Sequence, residues 1–277
     1  MEGFETDTIP IISPLQPALI NKPNYQEHTQ TWNGHVPKGE ALFYQFDSGE
    51  EEHATLLIPD ACVDFLFSLG PSPKGVILGS RLKETHIQLK ANTRYFGFKP
   101  YSVDSMRSLG LNWGSLLNSE VSFSQLFPQV NIEKQLAEAR TFKEKINLWL
   151  AFATKFLLKS TEANSLVGKS EVLICGAKGL IKIERMCQLS GYTERHCRQK
   201  FKEVHGFTMK KYNDIIRFQN SVRLLLASST SADRDSQITF DIIFANDYYD
   251  QSHFIREFKT FSNLTPTHFK RIYSIDK

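Results

Sequence analysis

The sequence predicts an α+β chain: a β-rich, sandwich- or barrel-like N-terminal domain with helices, then an all-α domain of two helix-turn-helix units joined by a linker helix. Three observations predict it. From Leu42 to Phe98, short apolar or alternating runs are separated by Gly, Pro, Ser and Asn, the punctuation of strands. Beyond Tyr101, apolar residues recur instead at three- and four-residue steps, the period of helices. Near the C-terminus one segment recurs after a shift of 57 residues.

Taken in chain order, residues 1–30 hold Pro10, Pro14, Pro17 and Pro23 among polar residues and predict an irregular arm. Residues 31–160 form the β-rich sensor or assembly domain. Its strands are the runs ALFYQF, TLLIP, VDFLFSLG, GVILG, THIQL and RYFGFK. Ser102 to Leu109 is compatible with a short helix. From Ile132 to Lys159 the residues Leu136, Ala139, Phe142, Ile146, Trp149, Leu150, Ala153, Phe156 and Leu157 mark a helical segment with one packed face. The polar stretch Ser160 to Ser170 is read as a linker or helix boundary, with the all-α domain at 165–277.

The repeat lies in that last domain. CRQKFKEVHGFTMKKY from Cys197 aligns with FIREFKTFSNLTPTHF from Phe254, pairing Phe201 with Phe258, Lys202 with Lys259, Phe207 with Leu264, Thr208 with Thr265 and Tyr212 with Phe269. Each copy follows an apolar helix-like run and a turn, IERMCQLSGYTER and DIIFANDYYDQSH, so each is a helix, a tight turn and a second helix. In the first unit Ile183, Met186, Cys187 and Leu189 form the buried face of the supporting helix, Gly191 permits the turn and Thr193 caps the second helix. Cys197, Phe201 and Val204 then face inward. Thr193, Glu194, Arg195, Arg198, Gln199 and Lys202 are left for a partner. In the second unit Phe254 and Phe258 face inward, and Gln251, Ser252, His253, Arg256 and Lys259 are the exposed candidates. Thr265-Pro266 opens a final helix containing Phe269. Arg and Gln side chains match base edges bidentately and Lys suits phosphate, so both faces point to duplex DNA. Between the units, Lys211 to Ser229 carries Ile215, Ile216, Phe218, Val222, Leu225 and Leu226 at helical spacing. A helix of that length spans about 27 Å, near the roughly 34 Å between successive major-groove faces.

Charge divides the chain the same way. Of the 277 residues, 41% are apolar and 23% charged, enough for two cores without a disordered bias. From residue 175 onward 17 Lys and Arg stand against 11 Asp and Glu, whereas the preceding part holds 16 against 19. A basic half beside a mildly acidic one is expected when one domain meets a polyanion. No apolar run is long enough to span a membrane and the start is acidic, so the expected location is cytoplasmic. The cysteines Cys62, Cys175, Cys187 and Cys197 are scattered, with neither zinc nor disulfide spacing.

From about residue 165 to 273 the chain resembles the AraC/XylS family of bacterial transcription regulators. LSGYTERHCRQKFKEVHGFTMKKY is similar to the family's first recognition helix and DIIFANDYYDQSHFIREFKTFSNLTPTHFKR to its signature. The resemblance implies seven helices, sequence-specific binding to double-stranded promoter DNA and, most often, activation. Arg195, Arg198, Gln199, Gln251, His253 and Arg256 are the matching positions. Asp247 and Asn263 depart from it, each standing where the family usually has Gly. Upstream, LLIPDACVDFLFSLG, GVILGSRL and RYFGFKPYSVDSM resemble the β-rich domain of some such regulators. That domain is read either as a small-molecule sensor or as a module for dimerisation or protein contact. RNA polymerase, a small-molecule effector and a second copy of the chain are the further partners this reading admits.

Other chemistry finds little support. His35, His53 and His86 fall in the β-rich half, but no H-x-H is present and no metal or other cofactor is expected. No G-x-S-x-G, H-E-x-x-H or phosphate-binding glycine loop occurs, so no enzyme is expected. Cys62 is the one nucleophile considered in that half, and Ala61 and Val63 beside it argue for an inert thiol. Glu50, Glu51 and Glu52 read as a solvated turn.

Overall fold

A computed structural model describes residues 14–32, 39–101, 113–157, 165–228 and 235–274. A short helix α1 (Pro17–Ile20) leads into strands β1 (Gln26–Trp32), β2 (Gly39–Asp47), β3 (His53–Leu57), β4 (Asp64–Ser68), β5 (Lys74–Leu78), β6 (Thr85–Leu89) and β7 (Arg94–Pro100). A 3₁₀ turn (Trp113–Leu116) and β8 (Glu120–Ser122) follow, then helices α2 (Phe123–Leu126), α3 (Ile132–Glu138) and α4 (Phe142–Phe152) and a π-helical turn (Ala153–Leu157). Among the described residues no helix is long and apolar enough to cross a membrane.

The strands form a six-stranded antiparallel sheet in the order β1-β2-β7-β4-β5-β8, with β3 and β6 paired as a separate ribbon. Alternation along the strands gives the sheet two apolar faces. One presents Phe43, Phe65, Phe67, Phe96 and Phe98 to α3 and α4, whose Trp149 is fully buried against them, 5.0 Å from the Phe98 ring. The other presents Leu42, Tyr44, Phe46, Leu66 and Tyr95 to Leu57, Ile87 and Leu89 of the ribbon. The Tyr44 ring lies flat where a side chain on Gly97, its register partner, would stand: a Cβ there would come within 2.0 Å of it.

All six predicted strands are present, but the predicted N-terminal arm is more ordered than its prolines suggested. Within it, α1 and β1 are regular. β1 escapes pattern reading because it pairs with β2 alone and both of its faces are polar. The single predicted helical segment is also broken, into α3 and α4. Thr141 caps α4 by accepting from Glu144 N at 3.2 Å, while the Glu144 carboxylate accepts from Arg140 N and Thr141 N, a reciprocal arrangement that starts a new helix. Ser102 to Leu109, Leu158, Lys159 and Ser229 fall outside the described residues.

The C-terminal domain comprises α5 (Leu166–Gly176), α6 (Ile183–Ser190), α7 (Glu194–His205), α8 (Met209–Ala227), α9 (Asp235–Ala245), α10 (Gln251–Ser262) and α11 (Pro266–Tyr273), the seven helices implied. Within Ser160 to Ser170, read as a linker or helix boundary, a helix does begin: Ser165 caps α5 by accepting from Gly168 N at 3.0 Å, and residues 160–164 lie outside the described residues. The core of this domain also takes in Ile58 and Ala61 from the β3–β4 loop. Polar bonds tie the same junction. Gln219 of α8, 1% exposed, accepts from Leu15 N at 2.9 Å and donates to Pro59 O at 2.7 Å. Gln16 donates to Ile58 O and to Asp60. Asp60 and Asp64 in turn flank the buried Lys99.

Candidate nucleic-acid interface

The two predicted units fold alike, and the aligned residues do the same work in each. Phe201 and Phe258 are both fully buried. Phe201 meets Tyr212 edge-on at 5.3 Å and 81°, and Phe258 meets Phe269 at 5.3 Å and 82°. Thr208 caps α8 by accepting from Lys211 N, and Thr265 caps α11 by accepting from His268 N, both at 3.2 Å. The helices α7 and α10 end on residues in the left-handed region, Gly206 at φ 79° and Asn263 at φ 58°. Asp247 also lies there, at φ 52°. Both departures from glycine thus occupy backbone that glycine favours, which Asn and Asp tolerate best among other residues.

α7 is the second helix of the first unit. Thr193 caps it, accepting from His196 N at 3.4 Å, after a turn at Gly191 with φ 75°. Met186, Cys187 and Cys197 are buried as expected, but Leu189, expected inside, is 40% exposed. Arg195, Arg198, Gln199 and Lys202 are exposed along one side of α7 and Glu194 is half-buried. Glu194 binds Arg198 Nε at 2.6 Å, and Gln199 donates to Glu203 at 2.9 Å. Lys200 also binds Glu203 at 2.8 Å, and these two bonds hold the Glu203 carboxyl below its ordinary range. His196 and Lys200 were not singled out from sequence, though both are exposed on α7. Tyr192 stacks on His196 with centroids 5.2 Å apart.

α10 is the counterpart in the second unit. Its cap is Asp250, which accepts from His253 N at 2.7 Å, a short acidic side chain before the helix that sequence reading passed over. Gln251, Ser252, Arg256 and Lys259 are exposed. His253 is turned partly inward: its ring meets Tyr248 edge-on at 5.5 Å, and Nε2 lies 3.8 Å from Glu257. Glu257 also accepts from Nε and Nη2 on one edge of the Arg217 guanidinium of α8 and from the Tyr248 hydroxyl at 3.0 Å. Burial would lower the Arg217 pKa, but the Glu257 carboxylate outweighs it and holds the guanidinium above its ordinary value.

These features give two capped helices of equal length, each with an exposed basic and amide face, anchored to one 19-residue helix. Such faces suit phosphate and base edges. The β-rich domain touches this frame at further places beyond the Ile58 and Ala61 contacts already described. Gly114 of the 3₁₀ turn packs so closely on Gly206 at the end of α7 that a Cβ there would lie 2.9 Å from Gly114 O. Gln219 is held as described, and Asn21 donates to Tyr273 O of α11 at 3.3 Å. Burial pushes the Cys62 thiol well above its ordinary value, which keeps it protonated at neutral pH. Among the described residues no group of three or more His, Cys, Asp or Glu is placed to hold a metal; His35 lies outside them.

Comparison with known proteins assigns residues 186–272 to a family described as a helix-turn-helix domain. No curated protein matches the chain in sequence. Among solved structures it is similar to ToxT from Vibrio cholerae, with 11% identity over 91% of this chain and 99% of that one, at a TM-score of 0.43. A second structure of ToxT, with an unsaturated fatty acid bound, shows 12% identity over 90% and 96% of the two chains, at 0.41.

Proposed function

Starting from residues 186–272 as an AraC-type helix-turn-helix domain, we propose that the chain is a sequence-specific transcriptional regulator. In this reading α7 and α10 enter successive major-groove segments of promoter DNA and the β-rich domain tunes how they do so. The observation that carries it is the duplication itself: two side-chain-capped helices of equal length with the same buried aromatic pair and exposed basic face, fixed to one helix α8. The sign is activation, the commoner one in the family resembled. The β-rich domain acts as a sensor, a role favoured by its contacts with the end of α7, with α8 and with α11. A domain serving only to dimerise would need none of them.

Arg195, Arg198 and Gln199 read bases from α7, and Gln251 and Arg256 from α10. Lys202 and Lys259 meet phosphate, with Thr193, Glu194, Ser252 and His253 lining the two helix starts. Arg198 must leave Glu194 to do so. Both side chains are about half exposed, at 45% and 39%, so that ion pair gives up only about 0–1 kcal/mol. Arg198→Ala is therefore expected to lose about 1–3 kcal/mol of discrimination between the preferred duplex and one altered at a single base pair. Competition binding measures this; equal weakening on both duplexes would make Arg198 a phosphate contact instead. The reading as a whole is tested by binding a pool of randomised duplexes and titrating salt. A preferred sequence should emerge, with log affinity falling against log salt by about 0.9 per phosphate neutralised. Binding without sequence preference at any salt concentration would sink it.

A further inference from the structure

An open cavity of about 520 Å³ lies where the ends of β2 and β7 meet the α3–α4 junction, and its walls include Asp47, Glu50, Thr93, Arg94, Ala139 and Lys145. Its two cations are unequally served. Asp47 accepts from Nε and Nη2 on one edge of the Arg94 guanidinium, at 2.7 and 2.9 Å, and from the Asn24 amide at 2.7 Å. These bonds, those from Arg94 first, hold the Asp47 carboxyl below its ordinary range and leave it little capacity for another donor. Lys145 is 2% exposed, yet no acceptor among the described residues lies within hydrogen-bonding or ion-pair distance of its ammonium. Burial first, and the neighbouring Arg94 charge second, push its pKa down against the opposing charges of Glu144 and Asp47. The only other carboxylate close in sequence, Glu144, is occupied by the cap of α4. A largely buried lysine with no direct hydrogen bond or ion pair, on the wall of a cavity large enough for a metabolite, offers an anion a partner.

We propose that this cavity binds a small polar anion, a carboxylate or phosphate group, on Lys145 with Arg94 beside it. As the effector site of the regulator, it rests on the function proposed above; anion binding itself does not. Its position suits that role. Pro23 O accepts from Asp47 N at 2.8 Å and Asn24 holds the Asp47 carboxylate, while the same short N-terminal segment is gripped at Leu15 by Gln219 of α8 and at Asn21 meets α11. An anion that redistributes the Arg94–Asp47 contact therefore acts on a segment bonded to the joining helix α8 and to α11 of the second unit.

The test uses the full chain without DNA, so its result is independent of whether the regulator reading holds. Inorganic phosphate and succinate are titrated by calorimetry, and melting is followed against potassium chloride at matched ionic strength. At least one probe is expected to bind saturably and to raise the melting temperature above the chloride control. Phosphate alone would assign a phosphate-bearing ligand and succinate alone a carboxylate. Lys145→Met removes a charge-assisted contact and should weaken that binding about tenfold or more. Ala139→Glu, which sets a carboxylate on the cavity wall, should abolish it and serves equally if the first variant does not fold. Neither probe exceeding chloride would overturn the proposal. So would undiminished binding in the variants, since the anion would then sit elsewhere, the basic faces of α7 and α10 included.

Discussion

Lys99→Met is expected to lower stability by about 3–5 kcal/mol, the cost of leaving buried carboxylates without their cation. Lys99 is 3% exposed and lies between Asp60 and Asp64, its ammonium 3.3 Å from the latter. Burial alone would depress the ammonium, but the two carboxylates outweigh it and hold Lys99 well above its ordinary value. Asp64 is raised by burial in spite of Lys99 and the Tyr44 hydroxyl, which donates to it at 2.7 Å. A carboxyl with a raised folded pKa favours folding below its unfolded value and loses that contribution as pH rises through the folded value. Removing Lys99 extends that window upward, so the deficit of the variant should be larger at pH 8 than at pH 5. Urea unfolding at both pH values measures it. Asp60 also orients Gln16 and the Cys62 amide, so the loop carrying Ile58 and Ala61 into the C-terminal core should loosen as well. A deficit that is small and independent of pH would show that the cluster is not the buried ionic unit described.

The second large effect is expected at Arg217, where α8 grips α10. The Arg217 and Glu257 side chains are 17% and 14% exposed, and the guanidinium also lies over the Tyr248 ring, 4.8 Å from its centroid. Arg217→Met leaves Glu257 largely buried with only neutral donors, at a cost of about 2 kcal/mol once residual solvent is allowed for. The functional consequence should exceed the loss of stability. Two linked reading heads gain affinity from effective concentration, worth about 10²-fold or more when their geometry matches the site. Held to α8 only by apolar contacts such as Phe218 with Phe258 and Phe261, α10 presents its face at a less fixed distance. Affinity for a duplex with both segments should then fall on the order of 10²-fold, while a duplex carrying only the α7 segment is bound as before. Fluorescence anisotropy on the two duplexes separates these outcomes; equal losses on both would place the effect in general unfolding.

Much of the fold was legible because its signals are local. Alternation marks β2 to β7, and the spacing of Phe201 with Phe258 and of Thr208 with Thr265 is enough to announce the duplicated unit. The misses share a physical reason. β1 is an edge strand with solvent on both faces, so it has no apolar period to read. The break before α4 was visible in the spacing of Thr141 and Glu144 but was masked by apolar residues that continue the helical step on both sides. Leu189 obeys the period of α6 yet is left uncovered at its end. The groups at the junction of the halves, Gln219, Asp60 and Lys99, and the buried Lys145 are polar residues that local pattern assigns to solvent. They are buried because residues distant in sequence meet them, and a one-dimensional pattern carries no record of that.

The central claim is that α7 and α10 read two separate DNA segments as one rigid pair. It is tested most directly by selecting randomised duplexes with the full chain, with Arg198→Ala and with Arg256→Ala. Two enriched segments about one helical turn apart are predicted for the unaltered chain, with information lost in one segment for the first variant and in the other for the second. Loss at the same positions in both variants, or a single segment in all three selections, would contradict it.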